Sequence, residues 1–416
     1  MSGRPDAQRD PPAAAARLAL RHRSPFDDWR SIVVAIYMAL AGYGVMVGIP
    51  VISTAWVELL GFTEAQVGRV AGADLGGLAL GSVLTSLVAA RWNRRVLAVA
   101  GLLIAVAANG LCLRYVGYEQ VLWLRVLAGV GSGIFTAVAV ATLGGASKPA
   151  RAYNLLLFAF AFSQAGEMQV LPMLTMNGIY WAFILSFLVS LPFLRFIPAR
   201  PDPLPPGLGD PTEQPPAAAP PPPILPWLCL AAIFFTYVNI GAYWTYIELA
   251  SLDAGIDGEW VGRLLVIVSL GSLLGCLVAT VISNRFGLAR PLIVTLLAMA
   301  TIVGILVPGI GTTNLLVSLA LFNFLWIFID VYQMGTVAVI DRRGAFAALM
   351  PGAQGLGQIV GPNVAATLLG MGQGYGAVFT LCAASALVAL LVYAMMMVRV
   401  RRRMPELVGR VPGPTH

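Results

Sequence analysis

The stretch Trp56–Arg95, WVELLGFTEAQVGRVAGADLGGLALGSVLTSLVAARWNRR, decides the fold because the chain repeats much of it further on. The matching segments are WVEL at 56–59 with YIEL at 246–249, VGRV at 67–70 with VGRL at 261–264, and Gly77-x-x-x-Gly81 with Gly271-x-x-x-Gly275. The offset is 190 residues before the turn near Gly61 and 194 residues after it. The offset is thus the same for all matches on each side of the turn and changes only once, by a small insertion. This indicates two homologous halves in the same order.

The composition places the chain in a membrane. Hydrophobic residues make up 58% of it and charged residues only 11%, whereas a soluble domain has about 25% charged residues. The two histidines lie in the polar ends, and the four cysteines lie in apolar runs without a C-x-x-C pair. We therefore expect packing cysteines and no metal site, redox site or cofactor.

Long apolar runs predict the helices, because a spanning helix needs about 20 mostly apolar residues. The twelve runs are Ser31–Val57, Val67–Ala90, Val96–Tyr115, Val121–Gly144, Tyr153–Thr175, Ile179–Phe196, Pro226–Ala250, Val261–Ser283, Leu292–Val307, Asn314–Ile340, Phe346–Gly370 and Tyr375–Val398. With the repeat, they predict an all-α integral membrane protein of twelve transmembrane helices in two parallel six-helix bundles.

Composition also predicts the domain boundaries. The predicted units are a disordered cytoplasmic tail at 1–27, an N-terminal bundle at 28–197, a proline-rich cytoplasmic linker at 198–223, a C-terminal bundle at 224–400 and a cytoplasmic tail at 401–416. The linker contains Pro220–Pro223 and cannot bury apolar surface. Arginines concentrate in loops on one side of the predicted bundle, so by the positive-inside bias both termini are predicted to be cytoplasmic.

Local motifs resemble those of the major facilitator superfamily. That family carries G-x-x-x-D-R-x-G-R-R between spans two and three, and this chain has Ser86-x-x-x-Ala90-Arg91-x-Asn93-Arg94-Arg95 there. The family's fourth-span signature R-x-x-x-G-x-G is present as Arg125-x-x-x-Gly129-x-Gly131. The Gly-Pro pair that marks drug antiporters is absent from Phe158–Leu174.

The resemblance implies a cytoplasmic gating motif. Its members here are Arg91, Arg94, Arg95, Asn284 and Arg285. In the family an acidic residue in this loop latches the outward-facing state. Ala90 and Asn284 replace that acid, so the latch is expected to be weaker or built differently.

Charged residues inside the spans are the first functional candidates, because a charge in hydrocarbon costs several kcal/mol. Asp74, Arg125 and Glu167 share the outer half of the N-terminal bundle, Asp74 and Glu167 at ~12 Å and Arg125 at ~6–9 Å from its outer end. They are predicted to form an ionic cluster that carries proton coupling, with Glu167 or Asp74 as the proton carrier and Arg125 as the switch partner. The alternatives are that Arg125 only ties helices together and that the acids never titrate.

Polar stripes on other spans predict a solute cavity between the halves. Asn323, Trp326, Asp330 and Gln333 fall on one face of span ten, and Gln354 and Gln358 lie one turn apart on span eleven. Span seven contributes Asn239 and Tyr243, on a face shared with Thr236 and Tyr246. Asp330 is a predicted substrate or second coupling group, or else it lies near enough to the cytoplasm to be solvated.

These features predict a secondary transporter of the inner or plasma membrane that moves a small organic solute by alternating access. The chain has no H-E-x-x-H motif, no Walker loop and no histidine available as a catalytic base, which disfavours an enzyme or a primary pump. Proton-coupled uptake is favoured by the missing antiporter signature. Efflux of a drug-like or metabolic solute is the alternative, and a non-transporting sensor or assembly factor is the alternative from another class. The expected partners are the solute, protons and the bilayer, without nucleic acid, and the expected state is a monomer.

Overall fold

A computed structural model describes residues 25–88, 92–146, 149–199, 224–282, 287, 289–340 and 349–403. Within these ranges the chain forms twelve α-helices and no strand. The helices are α1 Trp29–Leu60, α2 Glu64–Val88, α3 Arg94–Cys112, α4 Tyr118–Gly144, α5 Pro149–Val170, α6 Met176–Ser190, α7 Ile224–Asp253, α8 Gly258–Ile282, α9 Ala289–Gly304, α10 Thr312–Ile340, α11 Met350–Gly370 and α12 Tyr375–Arg403. This element order confirms the twelve predicted spans in their sequence order.

Side-chain caps explain where several helices begin and end. The Asp28 carboxylate accepts a hydrogen bond from the Arg30 backbone N–H at 3.1 Å, and the Asn93 amide oxygen accepts one from the Arg95 N–H at 2.9 Å. Helix α1 ends at Gly61, whose φ of 71° is a left-handed conformation that glycine adopts without strain. The sixth span ends at Phe196 as predicted and begins at Met176, but its last part, Leu191–Phe196, is a 3-10 segment that follows α6.

Ten helices of the described chain are long and apolar enough, on length and composition, to cross a membrane. Helix α9 is apolar but has only 16 residues. Helix α11 has 21 residues and carries Gln354, Gln358 and Pro362, which lower its hydropathy.

The helices pack as two groups of six. In the first half α4 contacts α1, α2 and α3, and in the second half α7 contacts α11 and α12 while α8 contacts α10. Among the described residues, the halves meet most extensively where α2 packs on α11, α5 on α8, and α1 on α7. We call the end where α1 begins and α12 ends the tail end of the bundle, and the other end the opposite end.

Several predicted features lie outside the described residues. These are Arg91, Asn284 and Arg285 of the gating motif, residues 1–24 and 404–416 of the predicted tails, and 200–223 of the predicted linker. The domain boundaries stay predictions.

Candidate functional site

Glycines bring α2 and α4 close enough for polar side chains to meet. A Cβ at Gly77 would collide with the backbone of Val126, and one at Gly129 would collide with the carbonyl of Asp74. Small residues of this kind let helix backbones approach closely inside a membrane. The Gly77-x-x-x-Gly81 pattern therefore positions Asp74 beside Arg125, which precedes Gly129 by one helical turn.

Asp74 and Arg125 form an ion pair sealed inside the first half. The Arg125 Nε donates to Asp74 Oδ2 at 2.6 Å, and Arg125 Nη2 pairs with the same oxygen. Both side chains are 1% exposed. The Arg125 Nη1 also donates to Asn109 Oδ1 on α3 at 2.8 Å, and the Tyr180 ring of α6 lies 6.0 Å from the guanidinium carbon. Arg125 thus joins four helices through Asp74, Asn109 and Tyr180.

Glu167 lies apart from this pair. Its carboxylate rests against Gly44 and Gly48 of α1, and Ser163 Oγ donates to its Oε1 at 3.4 Å. Its Oε2 is buried without a hydrogen-bond partner, and no cation within 4.0 Å pairs with it, among the residues that the structure describes. The predicted three-member cluster is therefore a pair, Asp74 with Arg125, and a separate carboxylate.

In the second half Asp330 is the centre of a small polar cluster. The Tyr237 hydroxyl lies 2.9 Å from both carboxylate oxygens of Asp330. Gln354 Nε2 donates to the same hydroxyl at 3.0 Å, and Tyr43 of α1 interacts electrostatically with Asp330 from the other half. The cluster thus draws on α7, α10 and α11 and faces the first half.

Other predicted cavity residues bond across the interface between the halves. Gln164 Nε2 on α5 donates to Asn323 Oδ1 on α10 at 3.3 Å. Gln358 Nε2 on α11 contacts Met46 Sδ on α1 at 3.4 Å. Both amides are buried, so each finds its partner in the other half rather than in solvent.

Three further residues of the predicted cavity are packed differently. The Tyr243 hydroxyl meets Ser318 Oγ at 2.9 Å, and its ring stacks on Phe322 at 3.8 Å, inside the second half. Gln333 Nε2 donates to Thr236 Oγ1 at 3.0 Å, again inside that half. Asn239 is fully buried, and its amide atoms have no hydrogen-bond partner among the described residues.

The side of α7 that meets the first half includes Tyr246 of the predicted stripe, but it also includes residues that the stripe did not contain. Tyr237, Gly241 and Trp244 recur at four- and three-residue spacing, and the last two line a small space with Gln358 and Trp326. Asn239 and Tyr243 of the predicted stripe lie on a different side of α7 from Tyr237, Gly241 and Trp244. The spacing of Tyr237, Gly241 and Trp244 was the available signal for the correct face. Asn109, one polar residue within apolar α3, was the corresponding signal for the partner of Arg125.

One space between the halves, near the middle of the described helices, is nearly filled. The pocket that Trp326 and Gln358 share with α1 and α2 has a volume of about 10 Å³, room for about one water molecule. Towards the opposite end, Trp244 Nε1 donates to the Val47 carbonyl at 3.1 Å and the Tyr246 hydroxyl donates to the Glu64 carbonyl at 2.9 Å. Both bonds cross between halves and keep this end shut.

The described part of the gating motif is held within the first half. Arg95 Nε donates to the Ile197 carbonyl at 2.6 Å. Arg94 Nη1 donates to the Ala141 carbonyl at 3.4 Å, and its guanidinium lies 5.1 Å from the Phe26 ring centre. These two arginines tie the start of α3 to the last turn of α4 and to the segment that follows α6.

Comparisons with known proteins agree with this architecture. A chloramphenicol resistance protein from Streptomyces lividans is 26% identical over 342 residues, which cover 75% of this chain and 82% of that protein. The xylose transporter XylE from E. coli, in a partially occluded inward-open conformation, superposes with a TM-score of 0.68 at 16% identity over 89% of this chain and 99% of that one. The nucleoside transporter NupG superposes with a TM-score of 0.65 at 14% identity over 89% of this chain and 98% of that one. Residues 34–340 match the sequence profile of the Major Facilitator Superfamily, and the chain therefore belongs to that family of multi-pass membrane transporters.

Proposed function

We propose that the protein is a proton-coupled secondary transporter of the inner or plasma membrane, with its tail end in the cytoplasm, that moves a small organic solute by alternating access. The observation that carries the proposal is the meeting of polar side chains from both halves at a buried boundary, as in Gln164 with Asn323. A site shared between two bundles changes its exposure when the bundles rock against each other.

The chemistry of this boundary favours an uncharged or cationic solute. Arg125 is engaged by Asp74 and Asn109 within the first half, so it does not offer a free cation to an anionic solute. The groups between the halves are amides, indole rings, tyrosine hydroxyls and the Asp330 carboxylate. Such a lining suits a molecule with several hydrogen-bonding groups and an apolar or aromatic face.

Glu167 is the proposed proton carrier. Asp74 is held by a cation in the described structure, whereas Glu167 has only the Ser163 hydroxyl. A carboxylate without a cation is costly to keep charged in a membrane interior. Its position one turn from Gln164, which bonds to Asn323 of the other half, places it next to the moving boundary.

The direction proposed is uptake, because the Gly-Pro pair of drug antiporters is absent from Phe158–Leu174. Export is the second candidate, and a specific observation favours it. The Streptomyces lividans relative is named for chloramphenicol resistance, and a membrane transporter confers resistance by moving the compound out of the cell.

The first experiment identifies the solute by thermal shift of the purified protein at pH 6 and pH 8. The panel contains metabolites, carboxylates, sugars, nucleosides, cationic drugs and chloramphenicol. A ligand at 100 times its dissociation constant that binds only the folded state adds about 2.7 kcal/mol of stability. No saturable shift across the panel would favour a sensor or assembly factor over a transporter.

The second experiment tests coupling with the identified solute in proteoliposomes of defined orientation. Glu167→Gln should abolish transport driven by an imposed pH gradient while leaving solute exchange at the wild-type rate, because exchange needs no net proton movement. Glu58→Gln, at an exposed acid of α1, is the matched control and should keep driven transport. If gradient-driven transport survives in Glu167→Gln, Glu167 is not the proton carrier. The direction of the pH gradient that drives transport distinguishes uptake from export.

A further inference from the structure

A long groove runs along the outside of the bundle, away from the polar boundary described above. It has a volume of about 690 Å³ and is formed by α2, α4 and α11. Its walls are largely apolar, with Gly72, Ala73 and Gly76 on α2 opposite Leu356 and Ile359 on α11. Pockets of about 300–1,000 Å³ hold drug-sized or larger ligands, so the groove is large enough for one.

The internal repeat shows that the small residues which α2 contributes to the groove are specific to the first half. The residues of α8 that correspond to Gly72, Ala73 and Gly76 at the offset of 194 are Val266, Ile267 and Leu270. The Ile267 side chain is 67% exposed and Leu270 is 39% exposed, so the second copy presents bulky side chains where the first copy is hollow. Part of this difference reflects helix packing, since a Cβ at Gly72 would collide with the Asn363 amide of α11 and one at Gly76 would press on the Ile359 side chain.

The repeat also shows that the arginine at the mouth of the groove differs from its counterpart in the second half. Arg69 lines the groove near the opposite end of the bundle, and its counterpart in the second copy is Arg263. Arg263 pairs with Glu259 at 3.6 Å one turn earlier on α8, but the matching position on α2 is Ala65. Glu64 and Glu119 lie in the same region, yet among the described residues neither forms an ion pair with Arg69. The exposed Arg69 guanidinium is thus available to an external anion.

We propose that this groove binds one phospholipid from the leaflet at the opposite end, with the phosphate on Arg69 and an acyl chain along α2. The groove runs from Arg69 to Val83, a helical distance of ~21 Å. One leaflet contributes about half of a hydrocarbon core that is ~30 Å thick, so the groove accommodates a full chain. Charge complementarity selects a phospholipid over a neutral lipid, because arginine donates in a fixed fork to phosphate oxygens.

The bound lipid joins the two halves of the protein. Its chain contacts α2 and α4 of the first half and α11 of the second half, along the length over which α2 and α11 pack together. It therefore favours the arrangement in which those two helices are in contact.

The test measures lipid binding by native mass spectrometry and needs no knowledge of the solute. Delipidated full-length protein in a neutral detergent is titrated with phosphatidylglycerol, and the dissociation constant of the first bound lipid is compared between variants. Arg69→Gln should raise this dissociation constant about tenfold, as expected for loss of a charge-assisted hydrogen bond. Arg263→Gln, at the matched exposed arginine, should leave it unchanged.

Two further measurements separate groove binding from general adhesion of lipid. Ala73→Ile, which copies the second half, should fill the groove and weaken binding by a similar factor, with its melting temperature in lipid-free detergent as the folding control. Diacylglycerol with the same chains should bind wild-type protein about tenfold more weakly than phosphatidylglycerol. Equal effects of Arg69→Gln and Arg263→Gln, or equal binding of the two lipids, would overturn the proposal. If Ala73→Ile does not fold, those two comparisons decide.

Discussion

The buried ion pair between Asp74 and Arg125 leads to a prediction about the free energy of unfolding. The same prediction would not hold for an exposed ion pair. Replacing Arg125 with methionine removes the cation and leaves a carboxylate that is 1% exposed without its partner. Breaking a buried pair by removing one member costs about 3–5 kcal/mol, because the remaining charge is uncompensated. Arg125 also bonds to Asn109, so we expect Arg125→Met to lie at the upper end of that range.

The double variant Asp74→Asn/Arg125→Met should be more stable than Arg125→Met alone. Asparagine keeps the shape of aspartate but removes the unpaired charge, and replacing both members of a buried pair is often close to neutral. We expect the double variant to recover about 2 kcal/mol or more of the lost free energy of unfolding.

Arg263→Met is the matched control for these variants. Arg263 and Glu259 are 65% and 78% exposed, and exposed pairs contribute only about 0–1 kcal/mol. The assay is reversible denaturation of the purified protein in mixed micelles, with the wild type and the three variants measured under the same conditions. If Arg125→Met costs no more than Arg263→Met, or if the double variant is the least stable of the set, the buried pair does not stabilise the helix packing as argued.

Two other predictions concern the boundary between the halves. Tyr246→Phe removes one hydrogen bond that shuts the opposite end, so it should weaken the closed state by about 1 kcal/mol and raise the open fraction about fivefold. The labelling rate of a Thr245→Cys reporter with an impermeant maleimide, in a background without the native cysteines, measures this fraction. Tyr243→Phe, whose hydroxyl bonds within one half, should leave the rate unchanged, and equal rates for the two variants would refute the role of Tyr246. Asp330→Asn should weaken binding of a cationic solute about tenfold and spare a neutral analogue, as titration calorimetry on both ligands would show, whereas equal losses for both would refute a charge-specific role.

The repeat and the apolar runs determined the class of protein and the number and order of its helices. The chain has 58% hydrophobic residues, gathered in long apolar runs. In a membrane, runs of this length can satisfy their backbone hydrogen bonds in one way, as α-helices. Helix ends depend on prolines and caps as well as on apolar runs, as the 3-10 segment after α6 shows. Depth along a helix follows from counting residues, so the sequence placed Asp74 and Arg125 at similar levels, and the structure joins them.

Which way each helix faces was decided only by the tertiary structure. A helix that is buried nearly all round, such as α7, has neighbours on every side, so polar residues on any face can find partners and periodicity does not select one. The sequence therefore favoured Asn239 and Tyr243, whereas Tyr237 is the residue that meets Asp330. Counting residues along each helix also does not show that Glu167 lies away from Arg125, because that separation arises from the packing of α5 on α1. Residue types and distances along the chain determined the helices and their polar groups, and contacts between distant helices determined which groups meet.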